Sequence, residues 1–507
     1  MVIWELLESH TAVSTVCLGV IAVTIVALLK QLATVWQTFR YFQSFPGDPN
    51  FSLLYGNLHK LPKTGEARLA YGRYNMDVRH SKFARMWIGP FQPTIVVYHP
   101  DTVKVILKSS APKSRGFGHT YEHAIPWIGE GLIASNGATW ARSRRLLTPA
   151  FYFDVLQHYI EIYNQAADIL FEKLDKLAES GESFDICPLM TLCTLDVILK
   201  CAMSYDGDIQ RLSEHPYAQA ARELVQAWAT RSRTPYLWPS WIFRLTAMGR
   251  QFYKNCDYVH KVAEDIIVQR RLHLNKGVQV KKRHLDFLDI LLTAQDEDGS
   301  PMTNLEIRNE VDTFLFAGHD TTATSLPWIL HCLVHNPKYQ VQVQNEVDLL
   351  GDGFVKWADL TKLKTLSLCI KEAMRLYPPV PFIQRKLHED AVIEGMKIPR
   401  GTNITIAIVH LHRNPQVWEY PDEFHPERFE LEDTKGRDSF AFTPFSAGSR
   451  NCIGQNFALI EEKIIIARIL KRYTLESAPD GPPVARSAQA VLKSENGIWL
   501  KIKRRDS

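Results

Sequence analysis

The chain has 507 residues, and its 59 Lys and Arg against 55 Asp and Glu leave a formal net charge of only +4. A chain so balanced carries no overall field that would favour nucleic acid as a partner. Its eight cysteines are scattered and contain no Cys-x-x-Cys pair, which argues against a disulfide framework or a zinc site and favours a reducing, cytosol-facing compartment. No clear linker follows residue 50, so one large core is the simplest organisation of the remainder.

The N-terminal region predicts a membrane anchor. Residues 11–29 contain no charged side chain, and as a helix they span roughly 28 Å, enough to cross a bilayer. A cleaved signal peptide or a mitochondrial presequence is the alternative, but both are basic where this segment carries Glu5 and Glu8. Lys30 and Arg40 follow the apolar run, so we expect the rest of the chain on the cytoplasmic side.

The stretch Phe45-Pro46-Gly47-Asp48-Pro49 ends any helix and predicts a hinge. We therefore divide the chain into an anchor (1–30), a linker with this Pro-rich hinge (31–50) and a catalytic domain (51–507). Beyond it, the β-branched and aromatic residues from Phe83 to Tyr98 predict a hairpin, with a helix from Pro100.

Residues 111–138 are rich in Gly, Pro and aromatics and lack periodicity, so we expect a long loop that forms part of a pocket wall. In the next segment Trp140 and Arg144 share a helix face, and an indole N–H and a guanidinium can point at the same anion. The alternative is an ordinary half-buried Trp beside a solvated Arg. Residues 150–275 have a mostly helical pattern, and 281–283 (Lys-Lys-Arg) indicate a solvated loop.

A long helix is predicted from the capping box Thr303-Asn304-Leu305-Glu306 to His335, about 32 residues or roughly 48 Å. In its middle Gly318 lets another group lie flat against the helix, and the Thr321 hydroxyl can bond a carbonyl of the preceding turn. Asp320 is costly to bury unless it is used chemically or, alternatively, paired with a distant Lys or Arg.

A buried ion network is predicted after this helix. Glu372 and Arg375 are one helical turn apart and can pair while leaving free edges for a third group, for which Arg428 is suitable. We interpret this set as supporting the fold, not as catalytic. Arg385 follows in a strand-like stretch.

Near the C-terminus, residues 445–454 follow the pattern Phe-x-x-Gly-x-Arg-x-Cys-x-Gly, which predicts that Cys452 is a thiolate ligand of haem iron. Gly448 and Gly454 permit close approach or unusual dihedrals, the N–H groups of residues 451 and 453 can bond the sulfur, and a helix from Gln455 begins beside it. Arg450 can reach a haem propionate. A structural cysteine in a glycine-containing turn is the alternative.

Together these motifs resemble those of the cytochrome P450 haem-thiolate monooxygenases, over roughly residues 35–505. The resemblance implies a mainly α fold with a small β-rich part, preceded by an N-terminal transmembrane helix, with haem b between the long helix and the Cys452 loop. By the same resemblance Thr321 orders distal water and Asp320 relays protons. The residues it places around the haem are Trp140, Arg144, Arg385 and Arg450 at the propionates and Phe445, Cys452 and Gly454 in the ligand loop.

The finer match is to family 4, the fatty-acid ω-hydroxylases, and within it to an F-like subfamily. Segments 144–151 (RRLLTPAF) and 310–316 (EVDTFLF) resemble that branch. The branch usually has Glu just before Gly318, where it can esterify the haem, but this chain has Ala317. We therefore expect non-covalent haem and a relaxed preference for the terminal carbon.

The resemblance implies an NADPH- and O2-dependent hydroxylase of apolar, long-chain fatty-acid or eicosanoid-like substrates, acting at or near the ω end. Its implied partners are NADPH–cytochrome P450 reductase, cytochrome b5 and the bilayer of the endoplasmic reticulum, with no nucleic acid. Candidates for docking an acidic reductase are Arg142, Arg145, Lys435 and Arg437, with a solvated face as the alternative.

Two other functional classes stay open. A haem-thiolate peroxide isomerase would not need the Asp320-Thr321 pair, and a non-enzymatic haem sensor or carrier would not need a substrate channel.

Overall fold

The computed structural model describes residues 2–505 except 51, 53, 80, 90, 91, 276–284, 296–298, 431 and 433, and side chains from residue 18 onward apart from 78 and 79. The basic segment 281–283 lies outside the described residues. The α-helices α1 to α17 are, in chain order, Val2–Gln43, Gly65–Arg79, Pro100–Lys108, Thr120–Ile128, Gly137–Leu147, Phe153–Leu156, Ile160–Ser180, Cys187–Met203, Pro216–Arg233, Ser240–Leu245, Ala247–Asn275, Phe287–Thr293, Asn304–His335, Pro337–Asp348, Lys364–Leu376, Ile408–Leu411 and Gln455–Arg472. The strands β1 to β11 are Phe83–Trp87, Pro93–Val97, Phe184–Asp185, Phe382–Lys386, Ala391–Ile393, Met396–Ile398, Asn403–Ala407, Tyr473–Ser477, Arg486–Ala488, Leu492–Ser494 and Trp499–Arg504.

The N-terminal helix is longer than the predicted span. It continues through residues 31–43, the first part of the predicted linker, and ends at Gln43, just before the predicted hinge. Within the described residues, Leu18–Gln43 is the one stretch long and apolar enough to cross a membrane, and its apolar window is not buried against the rest of the chain. The division of the chain at residues 30 and 50 stays a prediction.

The predicted hairpin is confirmed and belongs to a four-stranded sheet. Strands β1 and β2 pair antiparallel, and the sheet has the order β1-β2-β7-β4, with β2 and β7 parallel. In β1 the side chains of Phe83 and Trp87 face an apolar cluster that also contains Phe42 and Phe45. Because successive strand residues point to opposite faces, Ala84 and Met86 instead line an internal cavity.

The prediction of an unstructured stretch over 111–138 is wrong in part, because α4 lies inside it. Tyr121, Ala124 and Ile128 recur at spacings of three and four and are buried in the main core. Pro126 lies within this helix, and Gly129 ends it with φ +56°. The Gly and Pro residues of this segment suggested a loop, but a short helix forms there because its apolar face packs into the core.

The long helix α13 is confirmed. Thr303 and Glu306 form the expected capping box, with the Thr303 N–H donating to Glu306 Oε2 at 2.8 Å. At Gly318 a Cβ would lie 2.6 Å from Cδ1 of Ile198, so the missing side chain lets α8 pack closely against α13. The group that approaches Gly318 closely in the structure is the Ile198 side chain, and the approach of a ligand there stays a prediction.

The ion network is also confirmed. Arg375 Nε donates to Glu372 Oε2 at 2.7 Å, and Arg428 Nε donates to Glu372 Oε1 at 3.0 Å. Arg375 is fully buried and also donates to the backbone carbonyls of His412, Pro421 and Glu423. These hydrogen bonds connect α15 to residues 412–423, in the segment that precedes the Cys452 loop. The network therefore has a structural role.

Candidate active site

A cavity of about 610 Å³ lies between α13 and the Cys452 loop. This volume is within the range of roughly 300–1,000 Å³ typical of small-molecule sites. Its walls come from α2, the β1–β2 hairpin, the segment around α4 and α5, α9, α13 and β4. The expectation that residues 111–138 form part of a pocket wall is confirmed, since Lys113 and Tyr121 are among the lining residues.

Cys452 sits in the cavity wall. Its backbone N–H donates to the Phe445 carbonyl at 2.9 Å, and Gly448 takes φ +73°, where a Cβ would collide with the Leu107 carbonyl oxygen. The side chain is accessible from the cavity although its surroundings belong to the interior. Burial raises the pKa of the thiol, while the Gly454 N–H and the Arg144 charge oppose that rise.

The donor to the sulfur differs in part from the prediction. The Asn451 N–H is directed to the Gly448 carbonyl at 3.2 Å and is not available to the thiol. The N–H of Gly454, the residue that caps α17, is instead the backbone group that lowers the pKa of the thiol against the effect of burial. A helix N-terminus beside the thiol favours its ionised form, which is the form that binds a metal.

Trp140, Arg144 and Arg450 meet at the same end of the cavity. Arg144 Nη1 and Nη2 donate to the backbone oxygen and Oδ1 of Asn451, both at 2.8 Å. The Arg450 guanidinium lies 4.3 Å from the ring centroid of Trp140 and donates to Asn136 Oδ1 at 3.0 Å. The two arginines therefore also hold the ligand loop in place.

Arg385 is 3% exposed, donates to the Gln384 carbonyl at 3.0 Å, and is not among the described residues that line the cavity. Sequence reasoning missed the two lining residues beside it. Lys113 Nζ donates to the Tyr121 hydroxyl at 3.1 Å, and burial together with Arg385 and Arg450 holds the pKa of Lys113 well below its usual value. Only the predicted pocket wall over 111–138 pointed to this region.

On the opposite element, α13 presents Ala317, Gly318 and Thr321 to the cavity. The Thr321 hydroxyl donates to the Ala317 carbonyl at 2.8 Å, as expected. Asp320 does not line the cavity in the described structure: its Oδ1 accepts from Lys493 Nζ at 2.6 Å, and its Oδ2 has no hydrogen-bond partner. The pairing weighed as an alternative is thus present, and the proton relay stays a prediction.

Sequence reasoning also missed two buried acids on α17. Glu462 lines the cavity, and burial raises its pKa to about 8. Burial, reinforced by the charge of Glu462, raises the pKa of Glu461 well above its usual value. The available signal was the position of both acids in an otherwise apolar helical run, where a carboxyl is costly to bury.

The residues present fit haem. Among the described residues, no acid pairs with Lys113, Arg144, Arg385 or Arg450, and unpaired buried cations are costly unless an anion joins them. Two propionates would supply that charge, the apolar walls suit the ring, and Cys452 offers one axial sulfur. No group of three or more His, Cys, Asp or Glu in the described part of the chain is arranged to hold a metal ion by itself.

A sequence model of the cytochrome P450 family matches residues 46–502. The chain belongs to this family. It is 38% identical to cytochrome P450 4F6 of Rattus norvegicus over 94% of this chain and 90% of that protein. It is 37% identical to cytochrome P450 4A24 of Sus scrofa over 96% of both chains, and 37% identical to leukotriene-B4 omega-hydroxylase 3 of Mus musculus over 94% of this chain and 92% of that protein.

Among solved structures, the crystal structure of the cytochrome P450DA heme domain superposes with a TM-score of 0.80 at 26% identity, covering 91% of this chain and 98% of that one. The resemblance to the P450 family and the mainly helical fold with a small sheet part are therefore confirmed. The protein is a P450 monooxygenase, an oxidoreductase that uses haem iron.

Proposed function

We propose that this P450 hydroxylates long-chain fatty-acid or eicosanoid-like substrates at or near the ω end, with electrons from NADPH through a reductase. The observation that carries the proposal is that Cys452 and Thr321 line one cavity whose remaining wall is largely apolar, with Phe316, Phe382 and Val380 among its residues. Such a wall suits an acyl chain better than a polar substrate. The name of the mouse relative, leukotriene-B4 omega-hydroxylase 3, supports the same substrate class.

The proposed cofactor is haem b, held non-covalently because Ala317 has no carboxylate with which to form an ester. Bound haem supplies the one-electron and O2 chemistry. Cys452 is the proposed iron ligand, and Trp140, Arg144, Arg385 and Arg450 are proposed to hold the propionates. Lys113 joins this set, because its ammonium group is buried beside Arg385 and Arg450 without an acidic partner in the described structure.

The hydrogen bonds of Thr321 and Asp320 support the roles proposed for them. The Thr321 hydroxyl donates to Ala317, so its oxygen is left to accept a hydrogen bond from water in the cavity. Asp320 lies one residue away and is bonded to Lys493, whose side chain is 28% exposed. We propose that this pair carries protons from solvent toward Thr321, with Asp320 released from Lys493 as it does so.

The proposed setting is the membrane of the endoplasmic reticulum, with α1 as a single-pass anchor and the catalytic domain in the cytosol. NADPH–cytochrome P450 reductase is the proposed electron donor and cytochrome b5 a second one. Arg142 is bonded to Glu306 at 2.5 Å, and Arg437 donates to the Arg428 carbonyl at 2.8 Å. Arg142, Arg145, Lys435 and Arg437 are all proposed to dock an acidic partner, and of these Arg145 and Lys435 have exposed side chains.

Reconstitution in membranes with reductase and NADPH tests the proposed function. We expect NADPH-dependent O2 consumption on adding a long-chain acid, and mass spectrometry of a fatty-acid and eicosanoid panel should find alcohols at or near the ω carbon. Rearranged peroxides formed without NADPH would instead indicate an isomerase, and haem binding without turnover would indicate a sensor or carrier.

Cys452→Ser tests the assignment of the iron ligand. Because an alcohol is a poor thiolate substitute, the red-shifted Soret band of the ferrous–CO complex should disappear. The buried Cys193→Ser variant, far from the ligand loop in sequence, is the control and should keep the band. A band that persists in Cys452→Ser would refute the assignment.

Thr321→Ala tests the proposed proton delivery. The variant removes the hydroxyl that accepts from cavity water but leaves the haem contacts intact, so NADPH should be consumed with more hydrogen peroxide and less product. Thr321→Ser keeps the hydroxyl and should retain most of the coupling. Unchanged coupling of NADPH to product in Thr321→Ala would rule out the role.

A further inference from the structure

Arg144 and Arg450 form one cationic group of the cavity, near the Cys452 loop. A second cationic group lines the cavity away from that loop. It consists of Arg68 on α2 and Arg233, the last residue of α9. Arg68 Nη1 donates to the backbone carbonyls of Pro62 and Lys63, and Arg233 makes one long contact of 3.5 Å to the Ala488 carbonyl. Neither arginine has an acidic partner among the described residues. Most of the N–H groups of Arg233 are therefore available to donate hydrogen bonds to a ligand.

The two cationic groups are electrostatically distinct. Burial, aided by the charge of Arg68, lowers the pKa of Arg233 to about 10, so the guanidinium is still charged at neutral pH. At the other end of the cavity, burial and Arg385 lower the pKa of Arg450. Arg233 contacts the Ala488 carbonyl, whereas Arg450 donates to the Ser135 carbonyl and to Asn136 Oδ1, so the two arginines belong to different parts of the cavity wall.

One acid, Asp48, also lines the cavity, but it already has hydrogen-bond partners. Asp48 accepts from Lys60 Nζ at 2.7 Å and from the Tyr71 hydroxyl at 3.0 Å. Burial opposes ionisation of Asp48, but the bonds from Lys60, from the Asn50 N–H at 3.0 Å and from Tyr71 hold its pKa below the usual value. Asp48 therefore does not neutralise Arg233, and the positive region stays open to a ligand anion.

An apolar wall joins Arg233 to the reaction end. Ala229 lies one helical turn before Arg233 on α9 and also lines the cavity, as does the neighbouring Trp228. The Trp228 ring packs edge-on against Phe316 of α13 at 6.3 Å between centroids, and Phe316 directly precedes Ala317. A continuous apolar surface thus runs from the Arg233 guanidinium to the helix that carries Thr321.

We propose that Arg233, assisted by Arg68, binds the carboxylate of the substrate, while the acyl chain extends along Trp228 and Phe316 toward Cys452. This assignment rests on the proposed function and deepens it, because it names a free carboxylate as the group recognised. A guanidinium matches a carboxylate with two parallel N–H···O bonds, and their strength increases away from water. With the carboxylate held at one end, chain length decides which carbon reaches the reaction end.

The test compares three ligands of equal chain length with the full-length haem protein in detergent, without reductase or phospholipid. Hexadecanoate, methyl hexadecanoate and hexadecan-1-ol are titrated, and binding is followed by the Soret shift and, independently, by equilibrium dialysis. In Arg233→Gln the Kd for hexadecanoate should rise at least about tenfold, as expected for loss of a charge-assisted hydrogen bond, while the ester and alcohol change by less than about twofold. Arg233→Lys keeps the charge and should lose less.

The matched control is Arg222→Gln, which removes the same charge from the same helix. Arg222 is exposed and paired with Glu214 at 3.1 Å, so hexadecanoate binding should not change. An unchanged Kd in Arg233→Gln, or equal weakening of all three ligands, would overturn the proposal, since the second result means that Arg233 only shapes the cavity. Failure of the proposed function is distinguishable, because it appears as absent NADPH-dependent turnover with wild-type binding intact.

Discussion

At the scale of single residues, the side chain at position 317 affects how haem would be held in the proposed site. Its side chain lines the cavity on α13, while its carbonyl accepts the Thr321 hydroxyl. A carboxylate at this position would face the proposed haem site, whereas a methyl group offers only apolar contact. In the proposed function the haem would then be held by the Cys452 bond, by burial and by the cationic residues at its edge.

Ala317→Glu tests this reasoning. Haem should leave the wild-type chain completely on acid–organic denaturation, whereas the variant should retain a fraction of it after turnover, measured by reversed-phase chromatography. Because a tethered ring narrows the cavity, products should also shift toward the terminal alcohol. Ala317→Gln introduces a side chain of the same size as Glu but without a carboxylate, so no haem should become attached to the polypeptide.

Two results with the wild-type protein would contradict the expected effects of Ala317. Haem that stays with the wild-type polypeptide would exclude non-covalent binding. A wild-type protein that forms only the terminal alcohol would exclude the relaxed carbon preference.

At the scale of elements, the packing of α8 on α13 sets one side of the site. Gly318 is the close contact, since a Cβ there would lie 2.6 and 2.7 Å from Cδ1 and Cγ1 of Ile198. Ile198 is β-branched and stiff at χ1, so it cannot easily move aside. It also lines the cavity, and a shift of α8 would therefore alter the site as well as the core.

We expect Gly318→Ala to destabilise the protein. Overpacking costs about 1–3 kcal/mol, and contacts of 2.6 and 2.7 Å place this site toward the upper end, above the gain of about 1 kcal/mol from replacing a helical Gly by Ala. Ile198→Ala alone should cost about 2–5 kcal/mol by leaving a cavity. In the double variant the new methyl group occupies part of that space, so the combined loss of unfolding free energy should be smaller than the sum of the single losses.

Urea unfolding of the four proteins in this cycle measures the coupling. Additive losses would show that the two side chains do not meet. The haem spectrum of each variant reports separately whether α13 has moved.

At the scale of the whole molecule, the N-terminal helix and the catalytic body are joined by packing as well as by the chain. Phe42 is 3% exposed and lies 6.4 Å, ring to ring, from Trp87 in the sheet. Phe45 packs on Phe42 at 5.3 Å. The end of α1 therefore belongs to the apolar cluster under the four-stranded sheet, while the apolar part before it is exposed.

Deletion of residues 2–30 should release the protein from membranes without loss of its ferrous–CO spectrum or unfolding free energy. In this shortened protein Phe42→Ala should cost about 3 kcal/mol, because it removes a buried aromatic ring. Trp36→Ala is the control, since Trp36 is 60% exposed and its loss should change stability little. If deletion of residues 2–30 unfolds the protein, or if Phe42→Ala leaves its free energy of unfolding unchanged, the boundary between anchor and catalytic domain is placed wrongly.

Much of the architecture could be predicted because it depends on local patterns. The capping box at Thr303 and the one-turn spacing of Glu372 and Arg375 each specify a contact between near neighbours. The α4 helix was missed because its Gly and Pro neighbours resemble a loop, and its helical state depends on burying Tyr121 and Trp127 in the core.

For this protein the amino-acid sequence alone determined the family and such elements as the long helix α13 and the β1–β2 hairpin, since each rests on residues close together in the chain. Only the tertiary structure decided the long-range contacts. It bonded Asp320 to Lys493, set Arg450 against the Trp140 ring, and placed Arg68 and Arg233 in the wall of one cavity. Charges act through space at distances of a few ångströms, so residues far apart in sequence can set each other's ionisation, and no local pattern records which ones the fold brings together.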